Sequence, residues 1–428
     1  MSIFEQFESN VRSYCRKFTD VFHYAKGSVM VAEDGKEFTD FFSGAGALNY
    51  GHNHPYLKQK LLEYVASDGI VHSLDMHTKA KREFIEYFQH EILVPKRLDY
   101  KMQFCGPTGT NAVEAALKLA RKVKQRTGIF SFMGGFHGMS QGSLAATGNL
   151  FNRSGAGIPL TNVTFMPYPY GFMETFDTID YIENVLTDVN SGIEKPAAVL
   201  FETVQAEGGI VIAPTEWIRR LSELCRRHDI LLICDDIQVG CGRTGPFFSF
   251  ERAGITPDIV VLSKSISGYG LPMSMLLLKP ELDIWQPGEH SGTFRGNQLA
   301  FVAGKGALEL RKNTGIEEQT QQRATLIESF LNREIAPLHN KIQIRGIGMI
   351  WGIDISGLGD RGAGDEIVSV CYQNGLIIEV AGRHDTVVKI LPALTIELDL
   401  LLKGLQILKE AIAHYLVTNG EAKIAVHA

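Results

Sequence analysis

Two hydrophobic patterns alternate along the middle of the chain. Short apolar runs occur at residues 102–105, 129–132, 197–202, 230–235, 259–262 and 273–278, most of them bounded by Gly, Pro or Asp. Runs of this length and composition read as buried strands. Segments of helical spacing precede the first run, at 55–66 and 79–92, and lie between several of the others, including 109–123 and 217–227. In 109–123 the apolar positions Val113, Ala116, Leu117 and Ala120 fall on one stripe. Buried strands alternating with amphipathic helices predict an α/β fold, a mostly parallel sheet covered on both faces.

The two ends of the chain have a different pattern. Residues 28–42 alternate and turn at Asp34-Gly35, a hairpin signal. Residues 1–10 read as a loose lead-in, and the last twelve, VTNGEAKIAVHA, as a frayed end. After about Ala300, helical segments at 298–310 and 317–335 precede strand candidates at 342–355, 376–380 and 387–391. A last amphipathic helix at 398–415 carries Leu401, Leu405, Leu408 and Ile412 on one side and tolerates Gly404 inside it. The expected division is a large domain at 56–310 and a smaller α+β domain at 311–428, joined by the N-terminal segment 1–55.

Composition narrows the class. A chain of 428 residues is long enough for a large core and more than one domain. Its net charge of −6, without a basic block, gives no footprint for nucleic acid or an anionic membrane. No apolar run spans a bilayer, and the N-terminus lacks a signal-type apolar core. Cys15, Cys105, Cys225, Cys234, Cys241 and Cys371 are scattered, which suits buried thiols in a reducing cytoplasm. His52 and His54 are too close for a helix-face metal pair and no third ligand follows, so no metal is expected.

The candidate chemistry lies where strands end. Lys264 follows the run 259–262 and opens a loop containing Ser267, Gly268, Gly270 and Pro272. Ligands bind at the carboxyl ends of strands in open parallel sheets. A desolvated lysine there can attack a carbonyl; a solvated lysine at a strand end is the ordinary alternative. In GPTGTNAVEAAL, Gly109 and Thr110 open a helix whose free N–H groups suit a phosphate, while a plain N-cap at Thr108 or Thr110 explains the same residues. No Walker loop or G-x-G-x-x-G motif accompanies them. Phe136, among glycines past a strand, is placed to stack on a flat ring or to fill core. Asp235 ends an apolar strand, so it either pairs with a buried cation such as a protonated pyridine or caps the next turn. Ile237 and Gln238 follow it, facing opposite ways, and Thr293 precedes a helix as a second phosphate donor. Together and in this order, these features match the needs of pyridoxal 5'-phosphate.

On these motifs the chain resembles the class III, or ω, aminotransferases of fold type I along nearly its whole length. The resemblance implies a large domain with a mostly parallel, seven-stranded type of sheet. It implies that Lys264 anchors the cofactor, Asp235 pairs with the ring nitrogen and Gln238 meets the ring hydroxyl. Ile237 and Phe136 would sandwich the ring, and Gly109 and Thr110 would hold the phosphate. Thr293 would reach the phosphate of a neighbouring subunit, so the site would be shared in a homodimer or larger homo-oligomer. Glu202 and Glu207, in ETVQAEGG, match the family's active-site glutamates, although Ala206 stands where most relatives have Gly.

Within the family, stretches such as DGIVHSLDMHTKAKREF, GGFHGMSQGSLAATGN and LLICDDIQVGCGRTGPFFSFERAGI resemble the branch that opens ectoine synthesis. That branch moves the amino group of L-glutamate to L-aspartate 4-semialdehyde, giving L-2,4-diaminobutyrate and 2-oxoglutarate. Other ω-aminotransferases, acting on ornithine or 4-aminobutyrate, and aminomutases share the cofactor motifs. Met139 and Lys389 occupy positions where many relatives carry Arg. Glu207 and Lys389 are the substrate-binding candidates, Lys389 for a carboxylate; a surface lysine on a strand is the alternative for Lys389.

Overall fold

A computed structural model describes residues 2–358 and 362–419. Seven strands build its largest sheet: β1 Lys101–Phe104, β2 Ile129–Phe132, β3 Val163–Met166, β4 Ala198–Phe201, β5 Leu231–Asp235, β6 Ile259–Leu262 and β7 Met275–Leu278. Their order across the sheet is β1-β7-β6-β5-β4-β2-β3. Only β7 runs against the others, pairing antiparallel with both β6 and β1. Strands β2, β4, β5, β6 and β7 are buried along their whole length, as expected for a sheet covered on both faces. β3 has no counterpart in the sequence reading. It is one of the two edge strands, and VTFM is only partly buried, so it lacks the continuous apolar signal of its neighbours.

The hairpin turning at Asp34-Gly35 forms from Val29–Ala32 and Glu37–Asp40, and Phe22–Lys26 pairs with its first arm. The helix Pro55–Ala66 has the expected bounds. The segments expected as helices at 79–92 and 317–335 each begin as an α-helix, Lys79–Phe88 and Ile316–Phe330. Each then widens into one turn of longer hydrogen-bond span, Gln89–Leu93 and Leu331–Ile335.

Two strand expectations need correction. Residues 342–355 are not one strand but a hairpin, Gln343–Ile347 with Ile350–Asp354. Gly348 turns it at φ +58, where a Cβ would meet the Arg243 carbonyl oxygen at 2.4 Å. Residues 376–380 are two strands in different sheets. Leu376–Ile377 lies parallel to Glu37–Asp40, and Glu379–Ala381 pairs antiparallel with Val387–Ile390. The apolar run continues through the crossing because both sides of it are buried, which hides the break from a reading by pattern.

One apolar cluster joins the two ends of the chain, packing Phe18, Phe38 and Phe41 with Ile353, Ile367, Leu376 and Tyr415. The last helix, Leu398–Thr418, buries Leu401, Leu405, Leu408 and Ile412 there. Gly404 is needed for this contact, since a Cβ would stand 2.4 Å from the Phe41 ring. The expected frayed end at 417–428 begins as the close of this helix, and 420–428 lie outside the described residues.

Candidate active site

The carboxyl ends of β1, β2, β4, β5 and β6 face the same edge of the sheet, and each delivers a side chain or backbone group to one cavity of about 290 Å³. Lys264 follows β6 and opens the short turn Lys264–Ser267 in a left-handed conformation, φ +52. A lysine held there is strained, and such strain concentrates at functional sites. Its Nζ donates to the Ala45 carbonyl at 2.8 Å. Ala45 belongs to the turn Ser43–Gly46, which Ser265 also grips by donating from Oγ to the Gly46 carbonyl at 2.7 Å. Burial pushes the Lys264 ammonium below its ordinary pKa, against the opposing pull of Glu207. The side chain therefore sits in the cavity wall rather than in open solvent at a strand end.

Asp235 ends β5 and is 5 % exposed. Its turn-capping reading holds. Oδ1 accepts from the Ile237 N–H at 3.2 Å, a turn cap, and Oδ2 lies 2.7 Å from His137 Nδ1. Ile237, Phe136 and Gln238 line the same cavity. Gln238 Nε2 donates to the Ala45 carbonyl at 3.0 Å and to Glu207 Oε1 at 3.1 Å, which leaves Oε1 of Gln238 buried with no partner among the described residues.

Thr108 caps the helix Gly109–Lys124, its Oγ1 accepting from the Asn111 N–H at 3.3 Å. The N–H groups of Gly109 and Thr110 have no partner among the described residues, and both residues line the cavity. Thr110 Oγ1 is engaged by Ser140 and Ser143, at 2.8 and 2.5 Å, so Thr110 offers its backbone rather than its hydroxyl. A Cβ at Gly109 would stand 2.9 Å from Ile237 Cδ1.

Glu202, just past β4, receives the Phe136 N–H at 3.1 Å. Burial, then the neighbouring Asp235 charge, push its carboxyl well above the usual range. Glu207 also lines the cavity. Burial would raise it too, but the Lys389 and Lys264 ammoniums outweigh burial and hold it at about 2.

Lys389 is not a surface lysine. It has no exposed area, and its Nζ lies 2.6 Å from Glu207 Oε1 and 2.7 Å from Glu379 Oε1. Burial disfavours its charge, but the two carboxylates more than compensate and raise its pKa above the ordinary value. Thr293 stands apart. It lies in an exposed loop, its carbonyl 2.9 Å from His72 Nε2, and it does not line the cavity. His52, read as part of a structural loop, meets Asp40 Oδ2 at 2.9 Å.

Residues 14–412 match the model of the class-III aminotransferase family. The chain belongs to the class-III aminotransferases. This class-III aminotransferase is 52 % identical to the diaminobutyrate–2-oxoglutarate transaminase of Bordetella parapertussis, covering 96 % of this chain and 95 % of that one. It is 54 % identical to the enzymes of the same name from Streptomyces avermitilis and Halalkalibacterium halodurans, over 96 % of this chain and 97 % and 96 % of theirs. Among solved structures it resembles an S-selective transaminase from an Arthrobacter species, with TM-score 0.86, 21 % identity and coverage of 98 % and 100 %. It also resembles an ornithine aminotransferase from Toxoplasma gondii, with TM-score 0.83, 22 % identity and coverage of 97 % and 94 %. These structures share its fold-type I architecture.

Three polar groups of this aminotransferase's site went unread in its sequence. His137 was hidden behind Phe136, although a histidine among glycines past a strand is itself a signal. Glu379 lies inside the apolar run LIIEV, and a charge in such a run points to a buried partner. The Ala45 carbonyl, which receives both Lys264 and Gln238, has no side-chain signal at all.

Proposed function

We propose that the chain transfers the amino group of L-glutamate to L-aspartate 4-semialdehyde, giving L-2,4-diaminobutyrate and 2-oxoglutarate. The reading is carried by the relatives named for diaminobutyrate and 2-oxoglutarate, which match over 96 % of the chain, together with a half-buried lysine lining the cavity. Moving the terminal amine of diaminobutyrate onto 2-oxoglutarate leaves L-glutamate and the semialdehyde, so the reaction proposed is the reverse of that name. A role in ectoine synthesis fits this product.

The residues fit pyridoxal 5'-phosphate. The unpartnered Gln238 Oε1 suits a ring hydroxyl, and the free N–H groups of Gly109 and Thr110 at a helix N-terminus suit the phosphate. Asp235, oriented by His137, would keep a proton on the ring nitrogen, with Phe136 and Ile237 against the ring faces. When bound, the cofactor supplies an aldehyde that condenses with amines and a ring that withdraws electrons from the carbon bearing the nitrogen. Lys264, its basicity tuned by burial, would anchor the cofactor and then move the proton at that carbon. Glu207 and Lys389 would receive the substrate's polar end, Lys389 for a carboxylate, as Glu207 gives way to it.

We assign the site to a homo-oligomer in which a second copy brings Thr293 to the phosphate. Its distance from its own cavity and the exposed Phe294 beside it favour this. Residues 56–310 would form the cofactor-holding domain, and 1–55 with 311–428 the smaller one, as the shared cluster of Phe38, Leu376 and Tyr415 supports. No helix among the described residues is long and apolar enough to cross a membrane. The buried free thiols of Cys105, Cys225, Cys234, Cys241 and Cys371 favour a reducing cytoplasm.

Purified enzyme with L-glutamate and the semialdehyde should yield diaminobutyrate and 2-oxoglutarate together. Visible cofactor absorbance without either product would overturn the substrate assignment, and ornithine and 4-aminobutyrate reactions would be tried next. Rearranged product without 2-oxoglutarate would indicate an aminomutase.

A further inference from the structure

One buried ammonium serves two buried carboxylates. Glu207 reaches Lys389 from the loop beyond Val204–Gln205 and lines the cavity. Glu379 reaches it from the neighbouring strand, as the register partner of Lys389, and, like Lys389, is not among the cavity-lining residues. It is 6 % exposed. Their bonding is unequal. Glu207 Oε1 accepts from both Lys389 Nζ and Gln238 Nε2, whereas Glu379 Oε1, although 2.7 Å from Lys389, receives no donor in hydrogen-bond geometry among the described residues.

Two carboxylates sharing one buried cation do not ionise independently, and the better bonded of them holds its charge more readily. Glu207 is held at about 2. Glu379 is pushed up to about 7 by burial, which Lys389 opposes and Glu207 reinforces. Two of the other groups that face Glu379 lie well above that range. Tyr14 is pushed up to about 12 by burial, then Glu379 and Glu207, and Lys389 is raised above its ordinary value. Lys264 is lowered by burial, and its part in any proton count is common to wild type and Glu379→Gln.

We propose that Glu379 stores a proton for the site: it takes one up when a substrate carboxylate settles on Lys389 in place of Glu207, and releases it when that carboxylate leaves. The inference rests on the reading of Lys389 as the carboxylate receptor. A second carboxylate, such as that of glutamate, adds one negative charge to a buried cluster holding one ammonium. A proton from solvent, bound at Glu379, restores the balance. Glu379 is thus a positioning residue, tuning how tightly Lys389 holds a dicarboxylate without touching the reacting atoms.

The probe is glutarate, a five-carbon dicarboxylate without an amine, titrated calorimetrically into cofactor-loaded enzyme in two buffers of different ionisation heat. At about pH 7.5 wild type should take up roughly half a proton or more per site, and its glutarate affinity should fall towards tenfold per pH unit above neutrality. Glu379→Gln should take up none, and its affinity should lose that slope. Equal uptake by wild type and Glu379→Gln, or none by wild type, overturns the proposal. Lys389→Met tests the reading beneath it separately: unchanged glutarate affinity in that variant removes Lys389 as receptor. If Lys389→Met does not fold, the wild-type proton count and the Glu379→Gln slope still decide the role of Glu379.

Discussion

His137 Nδ1 and Asp235 Oδ2 lie 2.7 Å apart in a pair that solvent barely reaches, the histidine side chain 1 % and the aspartate side chain 5 % exposed. The histidine comes from beyond β2 and the aspartate from the end of β5, so the sheet itself aligns them. In His137→Phe, Oδ2 would lose its partner at a cost of about 1–3 kcal/mol. The variant should release cofactor roughly tenfold more readily, read as visible absorbance after dialysis. Retention equal to wild type would show that Asp235 needs no orienting partner.

Lys264→Ala should lose at least ~10²–10⁴-fold in 2-oxoglutarate release, the range for removing a positioned proton carrier. Its far-ultraviolet circular dichroism should stay that of wild type, because the lysine contributes one hydrogen bond, to Ala45, and no core packing. Turnover close to wild type would remove Lys264 from the reaction.

Gly109→Ala places a methyl group 2.9 Å from Ile237 Cδ1. Ile237, which lines the cavity beside Gly109, must shift, and overpacking of this kind costs about 1–3 kcal/mol. Cofactor affinity should drop about tenfold while the thermal midpoint of the cofactor-free protein falls only a little. A cofactor affinity equal to wild type would show that Ile237 does not bound the ring site.

The two carboxylates on Lys389 give opposite pH dependences. Glu207 is depressed from 4.5 to about 2, so the stability it contributes is present above 4.5 and is lost as pH falls towards 2. Glu379 is raised from 4.5 to about 7, so its contribution is present below 4.5 and is lost as pH rises through 7. Thermal midpoints of Glu379→Gln should therefore decline less than those of wild type between those two values. Parallel curves would place Glu379 in the ordinary carboxylate range.

If Thr293 completes the neighbouring site, Lys264→Ala and Thr293→Ala proteins should each be impaired. Mixed under conditions that exchange subunits, they should recover activity, because a hybrid dimer places both defects in one site and leaves the other intact. No recovery, with exchange verified by mass spectrometry, would assign Thr293 to its own chain's site or to none.

Much of the large sheet was legible because its signals are local. A strand buried on both faces is a continuous apolar run, and a polar residue at its end, such as Asp235 or Lys264, stands out against it. Other local signals, a helix start and an aromatic among glycines, pointed to Gly109, Thr110 and Phe136, which the fold gathers with Ile237 and Gln238 around one cavity. The reading failed where the signal was mixed: at β3, half-exposed on the sheet edge, and at 376–380, where one apolar run serves two sheets.

By itself the sequence determined the alternating α/β order, the strand-end lysine and aspartate, and the resemblance that names the family, all written in short stretches of adjacent residues. Only the tertiary structure decided what surrounds Lys389. Its burial, its register opposite Glu379 and its contact with Glu207 join residues 207, 379 and 389. The ionisation of a charge depends on which partners and how much water the fold leaves beside it, and those distances are set by packing between segments far apart in the chain.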